Sequence, residues 1–512
     1  MTAINSAFRL YNHRLLRELD AASRNPEPFQ MAAARFLLTH GAHTVFGKEH
    51  QFASIQTISE FQEQVPLFTY DKLEPYILRS LHGEKDVLWD RPIAWFARSS
   101  GTSSAKSKYI PLNWDSLHRC HYKGMQTILA HYVRLFPNSN LFRGKSLTLG
   151  GNRHIVKDAN TPFCVGDLSA FLMANNPKIS QHFTTPPKDI GLIPDFETKV
   201  DQVCDLILRQ NLVSFSGVPS WNLILMRKAL EKSGKSHLHQ VWPHMELFMH
   251  GGISFAPYRA QYAQLFPLSQ MHYLETYNAS EGFFALQTDL NEPGMQLLPN
   301  LDTFYEFIPL SKLPEALAGS YTHFETLETV KTDTVYALVI STNAGLWRYL
   351  IGDTVKFTST CPHKIIITGR TQLFINAFGE ELMIDNAEKA ISEACEASHA
   401  LVGDYTVAPV FMEGTKKGAH QWLIEFEQAP ADMALFTQEL DKALIRHNSD
   451  YEAKRIETGT MAPPQITVLA NGTFYRWMAQ NDRLGGQCKV PRLWSDRKYI
   501  DPLLETSRSL HV

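Results

Sequence analysis

Apolar residues recur at mixed three- and four-residue spacing from residue 4 to residue 40, with Phe8, Leu15, Leu16 and Leu19 on the pattern. That spacing predicts helix. The same periodicity predicts helices over 115–133, 201–210, 221–232, 382–399 and 432–448. Short apolar and β-branched runs predict strands at 93–97, 271–277, 304–308, 335–341, 364–368 and 421–426. Up to Gly369-Arg370 the strand signals dominate; beyond it a helix, a strand and a helix follow in a smaller unit. The pattern therefore predicts an α/β chain in two parts, with the boundary near residues 369–376. A large N-terminal domain with mixed sheets and flanking helices spans 1–370, and a smaller α+β domain spans 371–512. No internal repeat or long low-complexity tract interrupts them.

The run Ile93-Ala94-Trp95-Phe96-Ala97 reads as a buried strand that delivers the next segment at its carboxyl end. That edge of an α/β sheet is where ligands bind. The delivered segment is Ser99-Ser100-Gly101-Thr102-Ser103-Ser104-Ala105-Lys106-Ser107-Lys108-Tyr109-Ile110-Pro111. Hydroxyls and exposed N–H groups around a glycine, followed by lysines, suit a backbone wrapped on phosphates. A solvated serine-rich loop is the alternative. Two later segments favour phosphates. Tyr277-Asn278-Ala279-Ser280-Glu281-Gly282-Phe283-Phe284 holds a ring, a hydroxyl and a carboxylate at close spacing. Leu346-Trp347-Arg348-Tyr349-Leu350-Ile351-Gly352-Asp353 is an apolar run that ends in a glycine turn and an acid. An acid so placed can accept from both hydroxyls of a ribose. Together these are the parts of an ATP site. Arg348 reads equally as a structural ion pair and as a phosphate contact.

The three segments, in this order, resemble the nucleotide motifs of the auxin-responsive acyl acid–amido synthetases, the Gretchen Hagen family first described in plants. That family belongs to the adenylate-forming acyl ligases. Gly251-Gly252 resembles the superfamily's Gly-Gly element beside the acyl and adenine pockets. Gly369-Arg370, followed by Ile375-Asn376 and Gly379, resembles the hinge on which a mobile C-terminal domain turns. Gln487-Cys488-Lys489-Val490-Pro491-Arg492 resembles the family's closing Lys-Val-Pro-Arg element.

The resemblance implies ATP and Mg2+ as cofactors. It implies ATP contacts from Ser99, Ser100, Gly101, Thr102, Ser103, Lys108, Tyr277, Ser280, Asp353 and Arg370. Glu281 would bind the metal, and Glu281 and Lys489 would act in catalysis, Lys489 on the reacting oxygens. A carboxylic acid would be activated as an acyl-adenylate and passed to an amino acid or other amine. The chain departs from the pattern at Ala105, Trp347, Ala285 and Gln372, where the family usually has other residues. An acyl-CoA ligase with the same first half-reaction, and a nucleotide-binding protein without turnover, remain as alternatives.

Composition narrows the rest. The chain has 512 residues, of which 44% are hydrophobic, with 30 Phe and 18 Tyr, enough for a large core. A formal net charge of −3 and scattered charges argue against nucleic acid as the partner. No run approaches the eighteen or so apolar residues that span a bilayer, and 1–23 lacks a signal-peptide core. The expectation is a cytoplasmic monomer. The six cysteines form no Cys-x-x-Cys pair and read as free thiols in a reducing compartment. Ser103-x-x-Lys106 matches an acylase motif, but the partner motifs Ser-Asp-Asn and Lys-Thr-Gly are absent. There is no Gly-x-Ser-x-Gly and no Walker loop. His237, His239, His244 and His250 lack a metal spacing and read as packing or surface residues.

Overall fold

Asparagine and proline cut the long N-terminal helical pattern into three. Helices α1 (Ala3–Tyr11) and α2 (His13–Arg24) meet at Asn12. Pro26 then forces Asn25 into an extended conformation, φ −145° and ψ 94°, before α3 (Glu27–Gly41) begins. The proline ring disfavours helical backbone at the preceding residue. The computed structural model describes residues 3–99, 108–151, 153–156, 163–371, 375, 377–378, 380, 382–411, 417–457, 461–481, 490–494 and 496–508.

Strand β1 (Trp95–Ser99) pairs antiparallel with β2 (Lys108–Leu112), register Ser99 opposite Lys108. The serine-rich segment therefore joins two strands of a hairpin. The expectation of a strand passing straight to a helix missed β2, which carries Pro111. β2 is the edge of its four-stranded sheet, where a missing N–H is tolerated. The helix expected at 115–133 follows, opening as a π-helical turn (Ser116–Tyr122) and continuing as α4 (Lys123–Leu135).

The largest sheet has eleven strands among the described residues. One half is parallel and includes β3 (Leu247–Gly251) against β4 (His272–Ala279). The other half is antiparallel: β5 (Gly282–Leu286), β6 (Thr303–Pro309), β7 (Val335–Thr342), β8 (Tyr349–Thr360) and β9 (His363–Arg370). β4 joins the halves, pairing parallel with β3 and antiparallel with β5. Apolar faces on both sides of this sheet build separate buried clusters, four among the described residues.

Gly352-Asp353 does not end a strand as the sequence suggested. β8 runs on to Thr360 and bulges there instead. Val339 faces Leu350, while Ala337 faces Thr354, so β8 carries two extra residues. Gly352 supplies the positive φ of +94° that this bulge requires.

Beyond β9, helix α5 (Ile384–Ser398) and helix α6 (Met433–His447) cover a three-stranded sheet of β10 (Leu401–Val410), β11 (Ala419–Gln428) and β12 (Gln465–Val468). This unit has its own buried cluster around Ile391, Tyr405, Trp422 and Phe436. It touches the larger unit through an apolar cluster, in which Trp221 packs with Ala408, Leu423 and Trp477, and through polar links. Gln261 Nε2 donates to the Val402 carbonyl at 2.7 Å, and Arg492 Nη2 donates to the Tyr258 hydroxyl at 2.8 Å.

Arg348 proves to be structural. It is 1% exposed, and its Nε lies 3.1 Å from both carboxylate oxygens of Glu306. Its Nη1 donates to the Gln62 and Val65 carbonyls at 2.8 and 2.6 Å, and Nη2 to Thr322 O at 2.9 Å. Every guanidinium direction is thus filled by protein. The neighbouring Trp347, where the family pattern has tyrosine, fits because Gly41 leaves room for it. A Cβ on Gly41 would sit 2.7 Å from the indole ring.

Breaking a buried pair strands the surviving charge, which costs about 3–5 kcal/mol. Arg348→Leu is expected to lower the stability of the large unit by that amount in urea unfolding. Adding Glu306→Leu should recover part of the loss. Nucleotide affinity of the folded fraction should stay unchanged in both.

Candidate active site

Strand register assembles the centre. Asp353 on β8 stands directly opposite Arg370, the last residue of β9. Arg370 Nε donates to Asp353 Oδ1 at 2.7 Å. From β4, the Tyr277 hydroxyl donates to Asp353 Oδ2 at 2.6 Å. Each carboxylate oxygen is oriented by one protein donor and retains acceptor capacity for another. The Asp353 charge raises the Arg370 pKa, so the guanidinium stays charged at any working pH. Burial and the same charge push the Tyr277 phenol well up, so it stays a donor.

Glu281 sits in the two-residue Ser280-Glu281 turn between β4 and β5. Burial raises its pKa, Asp353 raises it further, and Lys108 and Arg370 pull it back. Lys108 opens β2 and is held with its ammonium 5.5 Å from the Tyr70 ring centre. Burial lowers its pKa, and Glu281 partly offsets that. The Tyr349 hydroxyl is buried and has no partner among the described residues. Its pKa is raised by burial and then by the Glu281 charge.

Tyr277, Ser280, Glu281, Asp353 and Arg370 border a cavity of about 1500 Å³. Gly251 and Gly252 border it too. Gly251 is forced by packing, since a Cβ there would lie 2.3 Å from the Thr276 carbonyl oxygen. Apolar residues of α1, α4 and the 168–183 region, among them Phe8, Met125, Leu129, Leu172 and Met173, complete the wall. The cavity therefore joins a charged region to an apolar one, as a site for an amphipathic acid and a nucleotide would.

Of the residues singled out in the sequence, the structure brings together Lys108, Tyr277, Ser280, Glu281, Asp353 and Arg370. Ser99 closes β1 opposite Lys108. Ser100, Gly101, Thr102, Ser103 and Lys489 lie outside the described residues, as do Gln372, Asn376 and Gly379 of the hinge motif. His239 packs against Phe266 and donates from Nε2 to the Met245 carbonyl, 3.1 Å away; His250 stacks on Phe255.

Sequence reading missed several polar cavity residues, among them His121, Glu275 and Glu388. His121 stands on the π-helical turn, 2% exposed, its Nδ1 3.0 Å from Asn278 Oδ1. Burial lowers its pKa to about 4, so the ring is neutral, and Nε2 has no partner among the described residues. A π-helical turn is a frequent mark of a functional position, but no side-chain spacing announces one.

The chain matches the GH3 family N-terminal domain over residues 15–219, the GH3 family central domain over 296–370 and the GH3 family C-terminal domain over 385–498. It is 23% identical to an indole-3-acetic acid-amido synthetase of Oryza sativa subsp. indica, covering 93% of this chain and 90% of that protein. Among solved structures it is similar to a GH3.15 acyl acid amido synthetase in complex with 2,4-DB. There the TM-score is 0.78 at 18% identity, over 96% of this chain and 95% of the other. A 2-hydroxyisobutyryl-CoA ligase in the postadenylation state shares the fold at a TM-score of 0.59 and 11% identity, over 94% and 92% of the two chains. The fold is that of the adenylate-forming ligases, and with all three domain models matched in order along most of its length, the chain belongs to the GH3 family.

Proposed function

We propose that the chain is an ATP-dependent acyl acid–amido synthetase. It activates a carboxylic acid as an acyl-adenylate, releasing pyrophosphate, and passes the acyl group to an amino acid or other amine, releasing AMP. The observation that carries this reading is the Asp353 carboxylate, held by Tyr277 and Arg370 on the wall of a cavity that Glu281 also borders. The similarity to acid–amino acid ligases supports the choice of reaction.

The roles follow from the chemistry of each group. Asp353, oriented from two sides, accepts the ribose hydroxyls of ATP. Arg370 balances its charge and faces the phosphates. Ser99, Ser100, Gly101, Thr102 and Ser103 supply hydroxyl and backbone donors to those phosphates, with Lys108 as a point charge beside them. Tyr277 and Ser280 border the nucleotide. Glu281 fits a magnesium ion. It is a hard carboxylate ligand whose charge is disfavoured by burial and by Asp353, and a divalent cation relieves both. When bound, the metal neutralises charge on the phosphate oxygens. The unpartnered Tyr349 hydroxyl is a spare donor toward the same charged region.

The carboxylate oxygen of the acid attacks the α-phosphorus, and the bond to pyrophosphate breaks. Charge gathers on phosphate oxygens, so positioning and fixed donors supply most of the rate. Lys489 acts on those oxygens in this first step. Residues 1–370 hold ATP and acid, and 371–512 turn about the segment after Arg370 between steps. The apolar wall around Met125, Leu129 and Met173 takes the body of the acid. The reaction runs in the cytoplasm on a monomer, in keeping with scattered charge and unpaired thiols.

A panel of aryl, indolyl and fatty acids is expected to give acid-dependent ATP–pyrophosphate exchange. Release of ADP and phosphate instead would sink the adenylation reading. Asp353→Asn should weaken ATP binding at least tenfold in a folded protein, since charge-assisted hydrogen bonds contribute about 1.5–3 kcal/mol each. Lys489→Ala should slow adenylate formation by about a hundredfold, comparable to losing one transition-state donor worth about 2.7–4 kcal/mol. Its ATP affinity and its amide formation from a pre-made acyl-adenylate should be largely kept.

A further inference from the structure

The second half-reaction needs a group that the site so far lacks. An amino acid arrives at neutral pH as an ammonium, and its nitrogen has no lone pair until one proton leaves. Asp353 is engaged with Tyr277 and Arg370, and Glu281 is assigned to the metal. We infer that Glu388 is the general base that takes this proton, in a subsite formed with Ser254, Glu275 and Arg492. The inference rests on the amido-transfer reading above.

Geometry brings Glu388 to the reaction. Helix α5 begins against the end of β9. A Cβ on Gly369 would lie 3.4 Å from the Ile384 backbone nitrogen. Gly369 precedes Arg370, so the first turn of α5 stands beside the Asp353–Arg370 pair. Ile384, Asp385 and Glu388 all border the cavity. Residues i and i+4 share a helix face, which puts Glu388 one turn along from the contact with β9. From the other side comes Glu275, two residues before Tyr277 on β4. Alternate residues of a strand share a face and stand about 7 Å apart. Ser254, on the segment leaving Gly251-Gly252, lies beside Glu388 and draws its pKa down. The cavity is thus bordered by the ribose acid, the Gly-Gly segment and this pair of acids together.

The surroundings tune the carboxylate. Burial pushes the Glu388 pKa to about 7; Arg492 and Ser254 draw it down, and Asp385 and Glu275 push it up. Glu275 is itself raised by burial, with Arg259 opposing. Tyr258 and Tyr405, which sense the Glu388 charge, are raised by burial and stay neutral. Asp404 is paired with Arg492. A base near the working pH combines an available anion with a useful affinity for the proton.

Arg492 adds an independent sign of a ligand. The residue is 8% exposed and borders the cavity, yet its Nε has no partner among the described residues. Its other nitrogens are taken by Asp404, the Tyr405 carbonyl and Tyr258. An acceptor that offers an ammonium to Glu388 and a carboxylate to Arg492 is a zwitterionic amino acid. In the step, Glu388 takes one ammonium proton and the freed lone pair forms the C–N bond at the acyl carbon. The carbonyl–phosphate C–O bond then breaks with its electron pair leaving on AMP. The second nitrogen proton passes to water.

The test separates the base from the fold. Hydroxylamine is already neutral at neutral pH and attacks acyl-adenylates without a base. With a pre-made acyl-adenylate, Glu388→Gln is expected to lose about 10²- to 10⁴-fold in transfer to an amino acid, the usual contribution of a general base. Transfer to hydroxylamine should fall less than threefold. The wild-type transfer rate should rise with pH through an apparent pKa near 7, because the deprotonated form is active. Glu388→Gln should lose that limb, Glu388→Asp should keep one, and Glu275→Gln should move it to lower pH by removing a like charge. Equal losses with both nucleophiles, or an unmoved limb in Glu388→Gln, overturn the assignment. A wild-type enzyme that makes no amide but discharges to coenzyme A overturns the amido reading itself, and that control distinguishes the two failures.

Discussion

The ladder between β8 and β9 sets Asp353 against Arg370, and the site depends on that register. A slip of one residue would move each side chain to the opposite face of the sheet. The register is fixed by the cross-strand bond itself and by Tyr277 reaching over from β4. The Gly352 bulge belongs to the other flank of β8, its ladder with β7. The pair also sits where the sheet changes character. β4 has a parallel neighbour on one side and an antiparallel neighbour on the other. Antiparallel strands can be joined by a two-residue turn, and the β4–β5 turn is what carries Glu281 to the site.

Two arginines near each other in sequence show what separates structure from chemistry. Arg348 is closed in by Glu306 and three carbonyls, so nothing is left for a ligand. Arg370 meets Asp353 at the cavity wall, where ligand groups can share the pair. A buried ion pair contributes little net stability, because desolvation offsets attraction. Its strength is specificity. Arg348 ties the 62–65 segment and the 322 region to β6, and so holds the strands that support β8 in place.

Much of this was legible in the chain. The motifs at 277–284 and 346–353 carried the charged centre, because each packs its ring, glycine and acid into a few consecutive residues. Strand and helix positions at 304–308, 335–341, 421–426 and 432–448 appear in the fold with boundaries moved by a residue or two. Pairing was not legible. Strand β2 is short, holds a proline and lies at an edge, so its run looked like part of a loop. The bulge at Gly352 looked like a turn, because glycine marks both. Arg348 was ambiguous because its partner Glu306 lies 42 residues away. Glu275 and Glu388 gave no local sign at all, since only tertiary packing of α5 on β9 brings them to one wall.

That packing bears on the proposed reaction, whose two steps make opposite electrostatic demands on one cavity. In the proposed reaction, adenylation gathers negative charge on phosphate, and cations would favour it: Lys108, Arg370 and a metal on Glu281. Amide formation begins by removing a proton from a cation and is favoured by an anion that accepts it. Mixed in one spot, these groups would neutralise each other. Here β4 carries Tyr277 and, two residues back, Glu275, while Glu281 lies in the turn that follows the strand. Carboxylates in unlike surroundings take unlike roles. Asp353 is gripped by an arginine and a phenol, which orient both of its carboxylate oxygens. Glu388, buried beside another acid, is poised to exchange a proton. The difference is set by what packs against each group and not by the group itself.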